Sequence, residues 1–144
     1  MATDRRADVT WQGSLMEGSG TIRSTTSGKL GEQKVSWPNR SEDNPDATSP
    51  EELIAAAHAA CFSMALSAGL SRAGNPPDEL STSATVTFQP GEGITKIALT
   101  VEGRVPGIDD AAFQEAANGA KANCPVSKAL AGVPEITLDA RLSS

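Results

Sequence analysis

Cys61 and Cys124 are the only thiols in a chain of 144 residues. A thiolate is a strong nucleophile, and two cysteines that meet in space can cycle between dithiol and disulfide. Cys61 sits in an uncharged, alanine-rich run from Leu53 to Met64. Apart from His58, three residues earlier, no ionisable group lies within a helical turn of it. Activation of Cys61 must therefore come from elsewhere in the fold. Cys124 is followed by Pro125-Val126-Ser127-Lys128-Ala129-Leu130. A helix opened by Pro125 turns its free N–H groups and the positive end of its dipole toward Cys124, a setting that favours a thiolate. The opposite reading also fits the residues, because free cysteine is among the most buried side chains and both could fill a core. His58, the only histidine, reads either as a hydrogen-bonded helix residue or as a base for Cys61.

Other chemistries find little support. Two cysteines and one histidine fall short of a four-ligand zinc site, and no Cys-x-x-Cys is present. There is no Gly-x-Ser-x-Gly elbow and no phosphate-cradling glycine motif. The formal net charge is −6, and Arg5-Arg6 is the only adjacent basic pair. That excludes the basic face nucleic-acid binding needs. The first residues, Met1 to Asp8, are charged and lack the apolar stretch of a signal peptide. Leu53 to Leu70 carries no formal charge, but seven of its residues are alanine. It is expected to be a core helix buried on all sides rather than a membrane span. The expected compartment is the reducing cytoplasm, where a cysteine pair is more often catalytic or metal-binding than a structural staple.

The elements that must position these residues follow from periodicity and punctuation. Val9-Thr10-Trp11 and Thr21-Ile22-Arg23-Ser24 predict a hairpin, and Lys34 to Trp37 a short strand ended by Pro38. Asn39 to Thr48 reads as a polar loop. Ser49, Pro50 and Glu52 form a capping-box start for a long helix that ends between Gly69 and Gly74. Ala84, Val86 and Phe88 alternate with polar residues, as do Ile97, Leu99 and Val101 beyond the Pro90–Gly93 turn. They predict an antiparallel hairpin with one face on helices. Asp109 caps a second helix whose Phe113, Ala117, Ala120 and Cys124 share a face. A separate short helix runs from Val126 to Leu130, and Ile136 to Leu142 alternates as a closing strand. Residues 1–144 thus read as a single α+β domain. Its aromatic-poor core would gain by burying surface in a second subunit.

Ser49-Pro50-Glu51-Glu52-Leu53-Ile54-Ala55-Ala56-Ala57-His58-Ala59-Ala60-Cys61-Phe62-Ser63-Met64, with Asn123-Cys124-Pro125-Val126-Ser127-Lys128, closely resembles the OsmC/Ohr family of thiol peroxidases. His58-Ala59-Ala60-Cys61-Phe62 resembles its osmotically inducible branch. The resemblance implies an OsmC-like fold, with antiparallel sheets wrapped around central helices in an intertwined homodimer whose two active sites lie at the interface. It makes Cys61 the thiol that attacks the peroxide and Cys124 the resolving partner. It maps a family arginine to Arg40 and a family glutamate to Glu51. It implies no bound cofactor or metal, an organic hydroperoxide as substrate with hydrogen peroxide beside it, and an external dithiol such as a dihydrolipoyl group as reductant. Phe62 and Met64 are the apolar neighbours that would favour organic substrates. A redox sensor or a small-molecule-binding dimer on the same fold is the competing reading. Ten residues of helix rise roughly 15 Å, so Glu51 on a continuous helix either is a first-turn carboxylate alone or serves the other subunit's site.

Overall fold

Alternating β-formers and glycine turns build the first of two compact units in the computed structural model, which describes residues 1–42 and 46–143. The units are Met1–Leu53 and Ile54–Ser144. In the first, strands β1 (Ala7–Gln12), β2 (Ser19–Thr25) and β3 (Gln33–Val35) form an antiparallel sheet in that order. Gly20 is required at its centre. A Cβ there would meet Val35 at 2.8 Å and the Trp11 ring at 3.0 Å.

The polar loop expected from Asn39 onward is instead opened by a short helix, α1 (Pro38–Ser41). Pro38 starts it, because a proline at the first helical position loses no hydrogen bond and already has helical φ. Asp43, Asn44 and Pro45 of that expected loop lie outside the described residues. The chain then enters the long helix α2 (Pro50–Arg72) at the predicted place. Ser49 Oγ accepts the Glu52 N–H at 3.1 Å, and the Glu52 carboxylate accepts the Thr48 hydroxyl at 2.7 Å. At the far end Gly74 adopts φ +90°. The Asn75 N–H reaches Leu70 O at 2.9 Å and the Gly74 N–H reaches Ser71 O at 3.0 Å. This Schellman closure needs a residue free of a Cβ penalty at Gly74.

The second unit carries strands β4 (Glu79–Gln89), β5 (Gly93–Arg104) and β6 (Glu135–Ser143), with helices α3 (Asp110–Asn123) and α4 (Pro125–Ala129) between the last two strands. β4 and β5 pair antiparallel as predicted. β6 pairs parallel to β5, so this sheet is mixed rather than antiparallel. The reason is the connection: a parallel neighbour needs a long crossover, and α3 with α4 supplies it. One face of the sheet is buried. Leu99, Val101 and Val105 pack with Phe62, Leu66 and Leu70 of α2 and with Phe113, Ala117 and Ala120 of α3. Each fully buried large apolar side chain contributes up to about 1.5–3 kcal/mol.

Helix α2 departs from expectation in one respect. It is long and apolar enough to cross a membrane by length and composition, yet its Phe62-Leu66-Leu70 face belongs to the core of this unit. On its other side Ala56, Ala60, Met64 and Ala68, spaced by four, are exposed.

Candidate active site

The junction of α3 and α4 sets the position of Cys124. Its N–H closes α3 on Ala120 O at 2.9 Å, and its carbonyl accepts the Lys128 N–H at 3.0 Å. One residue therefore ends one helix and caps the next, with φ −56° and ψ 127°. Pro125 cannot donate an N–H and cannot continue α3, which forces the break there. The free N–H groups of Val126 and Ser127 then act on the Cys124 sulfur, as the Cys-Pro sequence predicted. Cys124 is completely buried.

Cys61 lies near the middle of α2 and is partly exposed. Cys61 and Cys124 lie near enough to act on one another electrostatically. The structure thus brings together the two cysteines that the sequence singled out. Their environments separate them. Burial pushes the Cys61 thiol up, and the neighbouring Cys124 pushes it further, against an opposing pull from the Val126 N–H. Burial also acts to raise Cys124, but Cys61, the Ser127 and Val126 N–H groups and the Ser127 hydroxyl outweigh it and lower Cys124. The groups of this unit that act on Cys61 include no cation.

His58 stands one turn before Cys61 on α2 and is fully buried. Its Nε2 lies 2.7 Å from Ser127 Oγ on α4, and its Nδ1 has no hydrogen-bond partner. Burial lowers the imidazole below its ordinary range, so the ring is neutral at neutral pH. The sequence offered His58 as a hydrogen-bonded helix residue or as a base for Cys61; its hydrogen bond goes to Ser127. Ser127 was not singled out from sequence. The signal was available, since the third residue of a helix opened by Cys-Pro turns back toward its cap.

In the first unit, Arg40 and Glu51 form a close ion pair. Arg40 Nη2 is 2.7 Å and Nε 2.9 Å from Glu51 Oε1, with Nε also 3.3 Å from Oε2. The Glu51 side chain is 8% exposed and that of Arg40 30%. The Trp37 ring lies under the guanidinium, 5.5 Å from Cζ to centroid, and adds a cation–π contact. Trp37 was read only as the end of a strand; a Trp-x-x-Arg spacing across a Pro-initiated turn would have placed the two on one face. Of the two apolar neighbours of Cys61, Phe62 is a fully buried core residue, whereas Met64 is exposed. At about 100° per residue, two positions along α2 turn the side chain to roughly the opposite side of the helix.

The chain has known relatives. The OsmC family model, described as OsmC-like protein, matches residues 42–139. The chain is 46% identical to peroxiredoxin OsmC of Escherichia coli over 147 aligned positions that span all of both chains. It is 34% identical to an organic hydroperoxide resistance protein of Xanthomonas axonopodis, covering 81% of this chain and 83% of that one. The crystal structure of the organic hydroperoxide resistance protein OhrB of Bacillus subtilis superposes with a TM-score of 0.61 at 27% identity, covering 96% of this chain and 98% of the other. The family match, the full-length relative and the shared fold agree: the chain belongs to the OsmC family.

Proposed function

We propose that this chain is a cysteine-based peroxidase that reduces organic hydroperoxides, with hydrogen peroxide as a further substrate, in defence against hydroperoxide stress. Relatives named as a peroxiredoxin and as organic hydroperoxide resistance proteins support the activity. The observation that carries it to these residues is that Cys61 and Cys124 lie near enough in one unit to act on one another. A sulfenic acid formed on one sulfur has the other cysteine near it.

The Cys61 thiolate attacks one peroxide oxygen, the O–O bond breaks, and the alkoxide leaves to be protonated as the alcohol. Cys61 becomes a sulfenic acid. The Cys124 thiolate attacks its sulfur, hydroxide leaves as water after protonation, and a disulfide forms. An external dithiol, a dihydrolipoyl group being one candidate, reopens it by exchange. No bound cofactor takes part. Burial and the neighbouring Cys124 push the Cys61 thiol up, so Cys61 needs a cation from outside its own unit to become the attacking thiolate. We assign that role to Arg40, held by Glu51 and Trp37, which also meets charge developing on the peroxide oxygens. Helix rise separates Glu51 from Cys61 by roughly 15 Å along one helix, so the ion pair serves the Cys61 of a second copy. The exposed Ala56-Ala60-Met64-Ala68 stripe supports an intertwined homodimer with its sites at the interface. The reducing cytoplasm, where dithiol donors are abundant, suits the cycle.

The test is peroxide loss with cumene hydroperoxide and excess dithiothreitol, for wild type, Cys61→Ser and Cys124→Ser. Turnover by wild type and none by Cys61→Ser is expected. Stoichiometric oxidation without turnover would point to a redox sensor instead.

A further inference from the structure

Helix α4 adds nothing apolar to the buried core of the second unit. Among the described residues, that core draws its side chains from α2, the sheet, α3 and the turn before it, and none from α4. The one buried residue of α4 is Ser127, which is polar. Its hydroxyl lies 2.7 Å from Nε2 of the fully buried His58. The other ring nitrogen of His58 has no hydrogen-bond partner, so the bond to Ser127 alone orients the ring. With five residues, α4 is too short to be stable by itself. The His58–Ser127 bond is the buried tie that fastens it to α2.

The place of that tie matters. His58 and Cys61 are three residues apart on α2, and Cys124 and Ser127 are three apart at the start of α4. Residues at that spacing share a face and lie about 4.5 Å apart along the axis. The chain from Cys124 to Ser127 is a closed turn, because the Cys124 carbonyl accepts the Lys128 N–H at 3.0 Å. On the other side the Cys124 N–H is fixed to Ala120 O of α3 at 2.9 Å. A bond at Ser127 therefore sets the turn that begins at Cys124 against α2, one helical turn from Cys61. A disulfide closes only when the two Cα atoms come within about 4.4–6.8 Å, so closure depends on how well that turn is held.

We propose that His58 is a positioning residue for disulfide closure: its bond to Ser127 pins the first turn of α4 to α2 and holds Cys124 in register with Cys61. This rests on the peroxidase reading above. In the closing step the Cys124 thiolate bonds to the Cys61 sulfur, the S–O bond of the sulfenic acid breaks, and hydroxide leaves to be protonated as water. Neither His58 nor Ser127 has to touch the reacting atoms for this. With the pin in place, α4 is ordered before the sulfenic acid forms. Without it, each closure must order α4 afresh, which lowers the effective concentration of Cys124. Peroxide attack comes earlier and uses Cys61, which the continuous helix α2 holds. The pin therefore acts on resolution and leaves the attack alone.

Two measurements test the pin. The first is amide hydrogen exchange in the reduced protein, with no peroxide present. The Lys128 and Leu130 N–H groups bond to Cys124 O and Val126 O, and they exchange when α4 opens. Losing one hydrogen bond changes that opening about three- to tenfold. His58→Leu and Ser127→Ala speed exchange at Lys128 and Leu130 by this factor and leave the α3 amides around Ala117 at the wild-type rate. The second is a single turnover with one equivalent of cumene hydroperoxide, quenched at intervals and read by mass. His58→Leu forms sulfenic acid as fast as wild type but closes the disulfide about three- to tenfold more slowly. His58→Gln, whose amide can still meet the Ser127 hydroxyl, matches wild type in both steps. Ser127→Ala also removes a hydroxyl that helps to lower Cys124; His58→Leu keeps it, so slowing there reports position. Unchanged exchange at Lys128 and Leu130 in both variants overturns the proposal. So does wild-type closure in His58→Leu, or a His58→Gln as slow as His58→Leu. Ser127→Ala removes a single oxygen, so the exchange test survives if His58→Leu does not fold. Failure of wild type to oxidise with peroxide defeats the peroxidase reading; closure is then driven by diamide, and the same comparison decides the pin.

Discussion

Replacing Glu51 by alanine removes the group that fixes Arg40. Three N···O contacts of 2.7, 2.9 and 3.3 Å are lost at once. Breaking a fully buried pair by deleting one partner costs about 3–5 kcal/mol. Here the carboxylate is nearly buried but the guanidinium is 30% exposed and regains water when released, which brings the figure to about 2 kcal/mol. For a chain of this size that lowers Tm by roughly 5 °C. The larger effect is on rate. A guanidinium free to swing away from its place over Trp37 is no longer preorganised for the thiolate or for the peroxide oxygens. Misplacement on the scale of 1 Å costs about 10- to 100-fold. The assay is kcat/KM for cumene hydroperoxide with saturating dithiothreitol, beside a thermal melt. Glu51→Ala is expected to lose about 10- to 100-fold in kcat/KM, equivalent to about 1.4–2.7 kcal/mol of transition-state stabilisation. Glu51→Gln keeps an acceptor oxygen without the charge and falls between. Wild-type kcat/KM in a folded Glu51→Ala protein would falsify the positioning role of the ion pair.

Three further outcomes can be checked directly. Gly103→Ala places a Cβ 2.6 Å from Phe113 Cε1 and Cζ and 3.1 Å from Leu80 Cδ2; with the ring fully buried, overpacking destabilises the chain by about 1–3 kcal/mol in urea denaturation, and an unchanged midpoint would contradict this packing. His58 is held neutral by burial, so below the unfolded value of about 6.5 the unfolded state binds the extra proton. Stability therefore falls as pH drops through that value, by up to about 1.4 kcal/mol per pH unit. His58→Gln should lack this component between pH 7.5 and 5.5, and parallel curves for the two proteins would count against a neutral buried ring. Cys124→Ser should let the Cys61 sulfenic acid accumulate after one equivalent of peroxide, visible as a mass gain of one oxygen; a disulfide-linked product in that variant would show that another thiol resolves.

The sequence made some of these features legible and hid others for identifiable reasons. Local signals were strong. Ser49 and Asp109 cap their helices where their side chains predict. Gly74 closes α2, and Phe113, Ala117, Ala120 and Cys124 are buried on the one face their spacing defines. Non-local pairing was not legible. The alternation of Ile136 to Leu142 marks a strand but carries no information on its direction, so the parallel β5–β6 pairing came only from the structure. The one-turn helix at Pro38–Ser41 lies below the length at which periodicity speaks, and it is what sets Trp37 beneath Arg40. Cys61 and Cys124 were visible as a pair because they are the only thiols. The His58–Ser127 bond joins residues 69 positions apart and left no trace in local pattern. The apolar run around Cys61 pointed to burial on all sides, yet one stripe of α2 stays open, because a hydropathy pattern does not say whether the covering surface belongs to the same chain.

The central claim is that Cys61 reduces peroxide and Cys124 closes the cycle. The most direct measurement is steady-state loss of cumene hydroperoxide under excess dithiothreitol by wild type and Cys61→Ser, with the oxidised wild-type protein mapped by mass spectrometry. Multiple turnovers by wild type, none by Cys61→Ser and a Cys61–Cys124 disulfide after peroxide alone are the predicted results. Turnover that persists in Cys61→Ser, or peroxide that leaves both thiols free, would contradict the account.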